Sequence, residues 1–392
     1  MCRWSESCET ITDGCWQSKQ ILPGRAFCEG PGFGIDGKMI QYLELNNFTT
    51  FTSLPITFSR GINVIIGENG TGKSHLLKAG YALAAGAALL KNKPELDKEE
   101  FAEKLTRKVL RLFMPLEDKL WELRRYGASD GTRIEAHFET GQRVVATFNT
   151  NSKQLSIGNS PKFETFQDEP VYMPTKEVLA LMRGFVSLYE KYGLSFDQSY
   201  YDVCLLLDLP ALRSEALHEK SKWAIEEITA ICGGRFVFYG GGNVTFKTKD
   251  KEYSANSAPE GFRKLGMLAR LLETGSIHPG VSGPLFWDEP ESNMNPKLMK
   301  LLVQIMLELS RNGQQIILAT HDYVLLKWFD LLINKDKDDQ VRFHALSRDA
   351  ASGGIKVESV DSYRSLTVNA IAATFTDLYD AEIDRSFAGQ NR

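Results

Sequence analysis

Gly67-Glu68-Asn69-Gly70-Thr71-Gly72-Lys73-Ser74 is the stretch that decides the fold of this 392-residue chain. The apolar residues 61–66 precede it and the helix-forming residues 75–79 follow it, so a glycine-rich turn connects a predicted strand to a predicted helix. The spacing G-x-x-x-x-G-K-S in this setting is that of a phosphate-binding P-loop. Its glycines let main-chain N–H groups surround a phosphate, and the helix start adds the positive end of its dipole. We therefore expect all eight residues to bind a nucleoside triphosphate.

Two side chains of this loop have distinct predicted roles. Lys73 is expected to reach the β- and γ-phosphates, and the Ser74 hydroxyl is expected to ligate Mg²⁺. The alternative is a glycine-rich turn without a ligand. It is disfavoured because strand, loop, Lys-Ser pair and helix all occur together.

Two later segments predict the chemistry of the site. Residues 284–287 form an apolar run that ends in Asp288 and Glu289, and residues 315–320 form a second run that ends at His321. Asp288 is suited to hold Mg²⁺ through water, and Glu289 to polarise an attacking water. Polar groups at the carboxyl ends of parallel strands are where open α/β sheets place their ligands. A single histidine at a strand end is more often structural, but its position after the acidic pair favours a role in sensing the γ-phosphate.

These three segments resemble the Walker A, Walker B and H-switch motifs of ABC-type ATPases. Residues 43–48 and 62–70 are similar to the beginning of the soluble SMC/RecF/OLD-like branch, and residues 288–296 resemble its Walker B motif continuing into a D-loop. The resemblance implies an α/β fold, with a mixed-sheet lobe I (39–175 and 283–392) and a helical lobe II (176–282). It also implies ATP as the nucleotide, Mg²⁺ as the cofactor, and Glu289 and His321 as catalytic residues.

One motif of that family is degenerate in this chain. ABC-type ATPases carry a signature segment at a helix start, which contacts the γ-phosphate held by a second subunit. Its counterpart here is predicted to include Ser257, Glu260 and Gly261, with Ser257 and Glu260 in the spacing of a capping box. Both central glycines of the usual motif are missing, and an ordinary capped helix is the alternative. The segment from Thr175, with Lys176 and Glu177 but no glutamine, is assigned to the Q-loop position.

The intervening residues indicate secondary structure but no further motif. We expect an amphipathic helix over 94–126 that breaks at Pro115, antiparallel strands over 133–157 and a strand over 171–173. Helices over 177–232 and a hairpin at 236–246 should follow. Asp377, Asp380, Glu382 and Asp384 are predicted to form a solvated face of a terminal helix rather than a two-metal site.

The first 38 residues differ from the rest of the chain. They contain four of its six cysteines (Cys2, Cys8, Cys15 and Cys28), many glycines and no apolar periodicity. No C-x₂-C pair indicates zinc, so a poorly ordered leader or a start-site artefact is favoured over a metal site. No apolar run is long enough to cross a bilayer, and the net charge of −4 is unremarkable, so a cytoplasmic protein without membrane contact is expected.

The resemblance suggests an ATP-driven switch that closes as a homodimer or higher oligomer. Only 71 residues follow His321, which leaves little room for a fused nuclease domain. The leading interpretation is an ATPase that works with a separately encoded nuclease or toxin in phage defence (antiviral defence) or DNA repair, with DNA as a further candidate partner. Two alternatives stay open: an ATP-gated scaffold that restrains a toxin or nuclease, and a transporter ATPase subunit, which the degenerate signature disfavours.

Overall fold

The structure, a computed structural model, describes residues 39–93, 96–139, 141–158, 169–350 and 353–390. The prediction of a leader over residues 1–38 lies outside this part of the chain. Among the described residues, no helix combines the length and apolar character needed to cross a membrane.

Strands and helices are interspersed along the chain, and they alternate from residue 260 to residue 348. The strands are β1 (Ile40–Phe48), β2 (Phe51–Thr57), β3 (Ile62–Gly67), β4 (Thr132–Phe138), β5 (Arg143–Phe148), β6 (Ser156–Ile157), β7 (Val171–Met173), β8 (Arg235–Phe238), β9 (Val244–Lys247), β10 (Glu252–Ser254), β11 (Leu285–Asp288), β12 (Ile316–Ala319), β13 (Val341–Arg348) and β14 (Ile355–Val360). The helices are α1 (Lys73–Asn92), α2 (Lys98–Phe113), α3 (Met182–Tyr192), α4 (Gln198–Asp208), α5 (Glu219–Cys232), α6 (Glu260–Glu273), α7 (Pro296–Arg311), α8 (Tyr323–Leu332) and α9 (Ala370–Gln390).

The central sheet determines where the predicted motifs meet. Its order is β14-β13-β3-β12-β11-β7, and every neighbouring pair is parallel except β13 and β14. Its central strands are covered on both faces, which explains why residues 62–66 are all buried and, apart from Asn63, apolar. The carboxyl ends of β3, β11 and β12 therefore lie side by side at one edge.

A second, antiparallel sheet packs beside the first. Its order is β2-β1-β4-β5-β6, and its inner face shares a hydrophobic core with α1 and with Phe286 of β11. The predicted antiparallel strands over 133–157 are confirmed. The helix predicted before them is confirmed as α2, which ends at Phe113: Met114 takes a left-handed conformation and Pro115 follows.

The region between β7 and β11 is mainly helical. Helices α3 to α6 share a core with the small sheet β10-β9-β8, and the predicted hairpin is confirmed as β8 and β9. This α/β architecture with a mixed central sheet agrees with the expected fold class. The boundaries proposed for the two lobes stay a prediction.

The capping box predicted at Ser257 and Glu260 is wrong. Helix α6 begins at Glu260, and the residue before it, Pro259, makes no side-chain cap. Ser257 instead closes a short 3₁₀ turn (Ala255–Ser257). The physical reason is Pro259, which keeps Ala258 extended (φ −80°, ψ 150°) and so separates Ser257 from the helix.

Candidate nucleotide site

The P-loop has the backbone that its glycines predict. It connects the end of β3 to the start of α1, and Gly67, Gly70 and Gly72 have φ angles of 154°, 78° and 90°. At Gly72 a Cβ would also lie 2.6 Å from the Phe51 ring. This glycine is therefore required both by its left-handed backbone and by the close approach of the β1–β2 turn.

Lys73 points back into the loop that precedes it. Its ammonium donates to the main-chain oxygens of Gly67 at 2.7 Å and Glu68 at 3.2 Å. Burial lowers the pKa of Lys73, and the nearby carboxylates of Glu289 and Asp288 oppose this shift. The positive charge thus lies where the phosphates of a nucleotide would need it.

The two predicted Mg²⁺ ligands are neighbours in the structure. Asp288 is the last residue of β11, and it accepts hydrogen bonds from the Ser74 hydroxyl and from the Tyr172 hydroxyl, the latter at 3.4 Å. Burial raises the pKa of Asp288, and the Ser74 hydrogen bond acts against this rise. One hydroxyl and one carboxylate in contact beside the P-loop fit a Mg²⁺ ion, which prefers oxygen ligands.

The predicted catalytic pair is also brought together. Glu289 has a φ of 48°, and its N–H donates to Ala319 of β12 at 2.9 Å. This anchors the residue after β11 to the neighbouring strand. The Glu289 Oε1 atom lies 3.2 Å from Nδ1 of His321, whose side chain is about half exposed. A carboxylate and an imidazole are therefore available at the open edge of the sheet.

Glu291 belongs to this site, although the sequence analysis did not single it out. Its side chain is buried, and its Oε1 atom accepts a hydrogen bond from the Thr320 hydroxyl at 2.7 Å and one from the His321 N–H at 3.2 Å. Burial raises the pKa of this carboxyl group. A second acid two residues after Glu289 was the only signal in the sequence.

Lys264 is a second residue that the sequence analysis missed. It lies on the buried face of α6, and its ammonium donates to the Glu289 main-chain oxygen at 2.6 Å and to the Ser292 hydroxyl at 2.8 Å. Ser292 in turn donates to the main-chain oxygen of Thr175 at 2.9 Å. Burial lowers the pKa of Lys264 to about 8. A lysine among apolar residues on one helix face was the available signal.

The predicted signature residues lie at the start of α6 and in the turn just before it. Ser257 is exposed. Gly261 is buried against residues 293 and 294, and a Cβ atom added to it would lie 3.2 Å from the main-chain oxygen of Asn293. Glu260 accepts a hydrogen bond from the Asn293 amide at 2.7 Å. The signature helix is thus joined to the D-loop-like stretch, and the role of these residues toward a nucleotide stays a prediction.

Glu177, at the proposed Q-loop position, is held by the same helix. Its Oε1 atom accepts a hydrogen bond from Arg263 of α6 at 2.7 Å, and both side chains are largely buried. The segment therefore connects β7 of the central sheet to α6. Whether it acts as a Q-loop stays a prediction.

Comparisons with protein families match two parts of the chain. Residues 42–161 match the family described as an AAA domain. Residues 243–327 match the family described as an AAA domain, putative AbiEii toxin, Type IV TA system. The first region includes the P-loop, and the second includes α6, β11 and β12.

Characterised proteins resemble short parts of the chain. The DNA replication and repair protein RecF of Limosilactobacillus fermentum is 48% identical over 46 residues, which are 12% of either chain. The DNA double-strand break repair Rad50 ATPase of Pyrococcus abyssi is 31% identical over 117 residues, 30% of this chain and 11% of that protein. The matched part therefore spans only about a tenth of the length of these relatives.

A solved structure resembles the chain over most of its length. The SMC head bound to the C-terminal winged-helix domain of ScpA has a TM-score of 0.51 and 14% identity, covering 84% of this chain and all of that one. At this identity the likeness concerns the fold. Together with the family matches, it confirms the resemblance to SMC- and RecF-like ABC-type ATPases and the fold class that it implies.

Proposed function

We propose that this SMC/RecF-like chain binds ATP with Mg²⁺ at the P-loop and hydrolyses it. The observation that supports this most directly is the meeting of two predicted pairs at one sheet edge. Ser74 contacts Asp288, and Glu289 lies 3.2 Å from His321. Ser74 and Asp288 are separated by more than 200 positions in the sequence, and Glu289 and His321 follow different strands, so the parallel sheet brings all four together.

The reaction would proceed by in-line attack of water on the γ-phosphate. Lys73 and the loop N–H groups would hold the phosphates, and Ser74 and Asp288 would hold Mg²⁺, which neutralises their charge when bound. Glu289 would orient the attacking water and accept its proton, and His321 would contact the γ-phosphate. Asp288 keeps its position because Tyr172 and Ser74 both hydrogen-bond to it.

The biological role proposed for this activity is that of a dimerising switch. Hydrolysis would control a separately encoded nuclease or toxin in phage defence or DNA repair. Support for this role comes from the RecF and Rad50 relatives and from the family described with a Type IV toxin–antitoxin system. The SMC head of the solved structure is bound to a domain of a second protein, which supports a partner for this chain as well.

Two variants test the ATPase proposal. Lys73→Ala should abolish ATP binding in calorimetry, because it removes the charge that faces the phosphates. Glu289→Gln should bind ATP but hydrolyse it at least about a hundredfold more slowly, because an amide cannot accept the proton of the water.

Glu226→Gln is the matched control, since this carboxylate is exposed on α5 and makes none of the contacts described at the site. It should bind and hydrolyse ATP like the parent. Unchanged affinity in Lys73→Ala would refute the assigned nucleotide site, and a parental rate in Glu289→Gln would refute the assigned base.

A further inference from the structure

Glu291 connects the turn after β11 to the end of β12. Its Oε1 atom accepts from the Thr320 hydroxyl at 2.7 Å and from the His321 N–H at 3.2 Å, and it also lies 3.7 Å from the ring nitrogen Nδ1 of His321. The side chain is only 5% exposed. The Oε1 atom of Glu291 therefore accepts a hydrogen bond from the main chain of His321 and also lies near the imidazole ring of this residue, the predicted γ-phosphate sensor.

The other oxygen of Glu291 makes this arrangement unusual. Oε2 is buried, and in the part of the chain that the structure describes it has no hydrogen-bond partner. A buried acceptor without a partner destabilises a fold, so a carboxylate that was needed only to cap Thr320 would be a poor choice there. A threonine or serine could accept the same hydrogen bond without leaving a second oxygen unpaired. A role beyond packing would explain why residue 291 is a carboxylate.

The ring of His321 supplies that reason. Its Nδ1 atom faces two carboxylates, at 3.2 Å from Glu289 and 3.7 Å from Glu291. A histidine nitrogen that faces carboxylate oxygens is the one that donates a hydrogen bond to them, and the bond made by one ring nitrogen sets the tautomer of the ring. With the proton held on Nδ1, the Nε2 edge of the ring is turned away from the two acids.

We propose that Glu291 is a positioning residue that holds His321 with a proton on Nδ1, so that Nε2 is directed to the γ-phosphate. Glu291 fixes the Thr320 side chain and the His321 main chain through two hydrogen bonds, and its negative charge 3.7 Å from Nδ1 favours a proton there, which Oε1 of Glu289 accepts at 3.2 Å. One oxygen of Glu289 thereby stays available for the water. The inference deepens the proposed function and rests on it for its catalytic consequence.

The first test separates rate from binding. Glu291→Gln keeps an oxygen for the Thr320 and His321 donors but removes the negative charge beside Nδ1. We expect kcat to fall by on the order of ten- to a hundredfold, as when an oriented histidine loses its supporting carboxylate. The dissociation constant of ATP should change by less than about threefold, because the phosphate-binding groups are intact. Glu226→Gln is again the matched control.

The second test follows the proton itself and needs no ATP. Nitrogen-15 NMR of histidine-labelled, nucleotide-free protein distinguishes a protonated Nδ1 from an unprotonated one, and His321→Ala identifies the resonance among the six histidines of the chain. The parent should show a protonated Nδ1 on His321. In Glu291→Gln the resonance should move toward the unprotonated position, while the resonances of the other five histidines stay in place.

Each outcome decides the proposal. A lower kcat with an unchanged Nδ1 resonance would mean that Glu291 acts by another route, and an unchanged kcat would remove its catalytic role. If Glu291→Gln does not fold, Thr320→Val, which removes one of the two anchoring hydrogen bonds, should show a smaller loss of kcat and a weaker NMR shift. If the parent does not hydrolyse ATP, the proposed function fails, whereas the NMR comparison still tests the positioning of His321.

Discussion

Single residues determine how the acidic end of β11 is held in place. Lys264 is almost fully buried, yet its ammonium binds the main-chain oxygen of Glu289 and the hydroxyl of Ser292. Removing a charge from water is costly unless partners compensate for it. Here the main-chain oxygens of Glu289 and Ser292 and the Ser292 hydroxyl accept hydrogen bonds from the ammonium, and the nearby acids, Glu289 and Glu291 among them, favour its charge. The ammonium group thus joins α6 to the predicted catalytic turn.

This arrangement predicts a specific pH dependence of stability. Burial lowers the pKa of Lys264 to about 8, below its value near 10.4 in an unfolded chain. Between these two values the unfolded chain binds the extra proton, so this residue makes the native state more stable as the pH rises. Relative to Lys264→Met, the parent should gain on the order of 1–3 kcal/mol in free energy of unfolding between pH 7.5 and pH 10.5.

Urea unfolding of both proteins across that range measures the difference. The comparison with Lys264→Met cancels the contribution of the tyrosines that titrate at high pH. A difference that stays constant with pH would mean that Lys264 keeps its ordinary pKa in the folded protein. A difference that falls with pH would show that its charged form is favoured by the fold.

At this scale the sequence predicted part of the site. Lys73, Ser74, Asp288, Glu289 and His321 were recognisable because each lies in a short motif whose residue types and spacing are set by phosphate chemistry. Lys264 and Glu291 were not, because their importance comes from contacts with segments 25 and 29 residues away. A linear pattern carries no information on such pairs unless the fold is already known.

At the scale of secondary-structure elements, apolar periodicity predicted helices and strands correctly, whereas local spacing did not predict where a helix begins. Helix α2 and strands β4 and β5 were predictable because each buries one regular face. The start of α6 was mispredicted because the S-x-x-E spacing suggested a capping box, while Pro259 excludes the preceding residues from the helix. Glu260 then bonds to Asn293, a contact distant in sequence.

Helix α9 is largely exposed beyond its first turns. Its first turn is half-buried, and Phe375 stacks on Tyr323 of α8 with 4.0 Å between the ring centres. From residue 376 to residue 386 nearly every side chain is exposed, including the four acids predicted to form a solvated face. The structure therefore agrees with that prediction. It also implies that the second half of α9 adds little to the stability of the fold.

Truncation tests this implication. A chain that ends at Thr376 should lose less than about 1 kcal/mol of unfolding free energy, since nearly all side chains from residue 377 to residue 386 are exposed. Phe375→Ala in the full chain should cost about as much or more, because it removes an aromatic pair worth roughly 0.5–1.5 kcal/mol beyond its area. Thermal unfolding measures both. A large loss on truncation with no effect of Phe375→Ala would mean that the distal half of α9 packs on the protein.

At the scale of the whole molecule, α1 couples the P-loop to the helical region. Lys78, one turn after Ser74, pairs with Asp197 at 2.9 Å, and the Tyr81 hydroxyl donates to Asp202 at 2.8 Å. Helix α6 makes the second connection through Lys264 and Arg263. These contacts join α1 to α4, and the residues after β11 to α6, which carries the predicted signature segment.

The last prediction concerns the assembly that would use this coupling. In the proposed composite site, the P-loop of one chain faces Ser257 of a second chain across a two-fold axis, and Ser257 is exposed as such a contact requires. ATP would then bind the closed dimer better than the monomer. Glu289→Gln, which should retain ATP, is expected to show a larger mass in light scattering with ATP than without it.

Ser257→Arg in the Glu289→Gln background should abolish this gain in mass, because a long charged side chain would obstruct the contact. In the otherwise unchanged protein, Ser257→Arg should lose ATPase activity while still binding ATP, because its own P-loop is intact. If the mass does not change when ATP is added, the chain is an oligomer held by other surfaces. Ser257→Arg should then still lose ATPase activity while its mass stays constant. Activity that survives Ser257→Arg in either case would refute the composite site, because hydrolysis would then need only the residues of one chain.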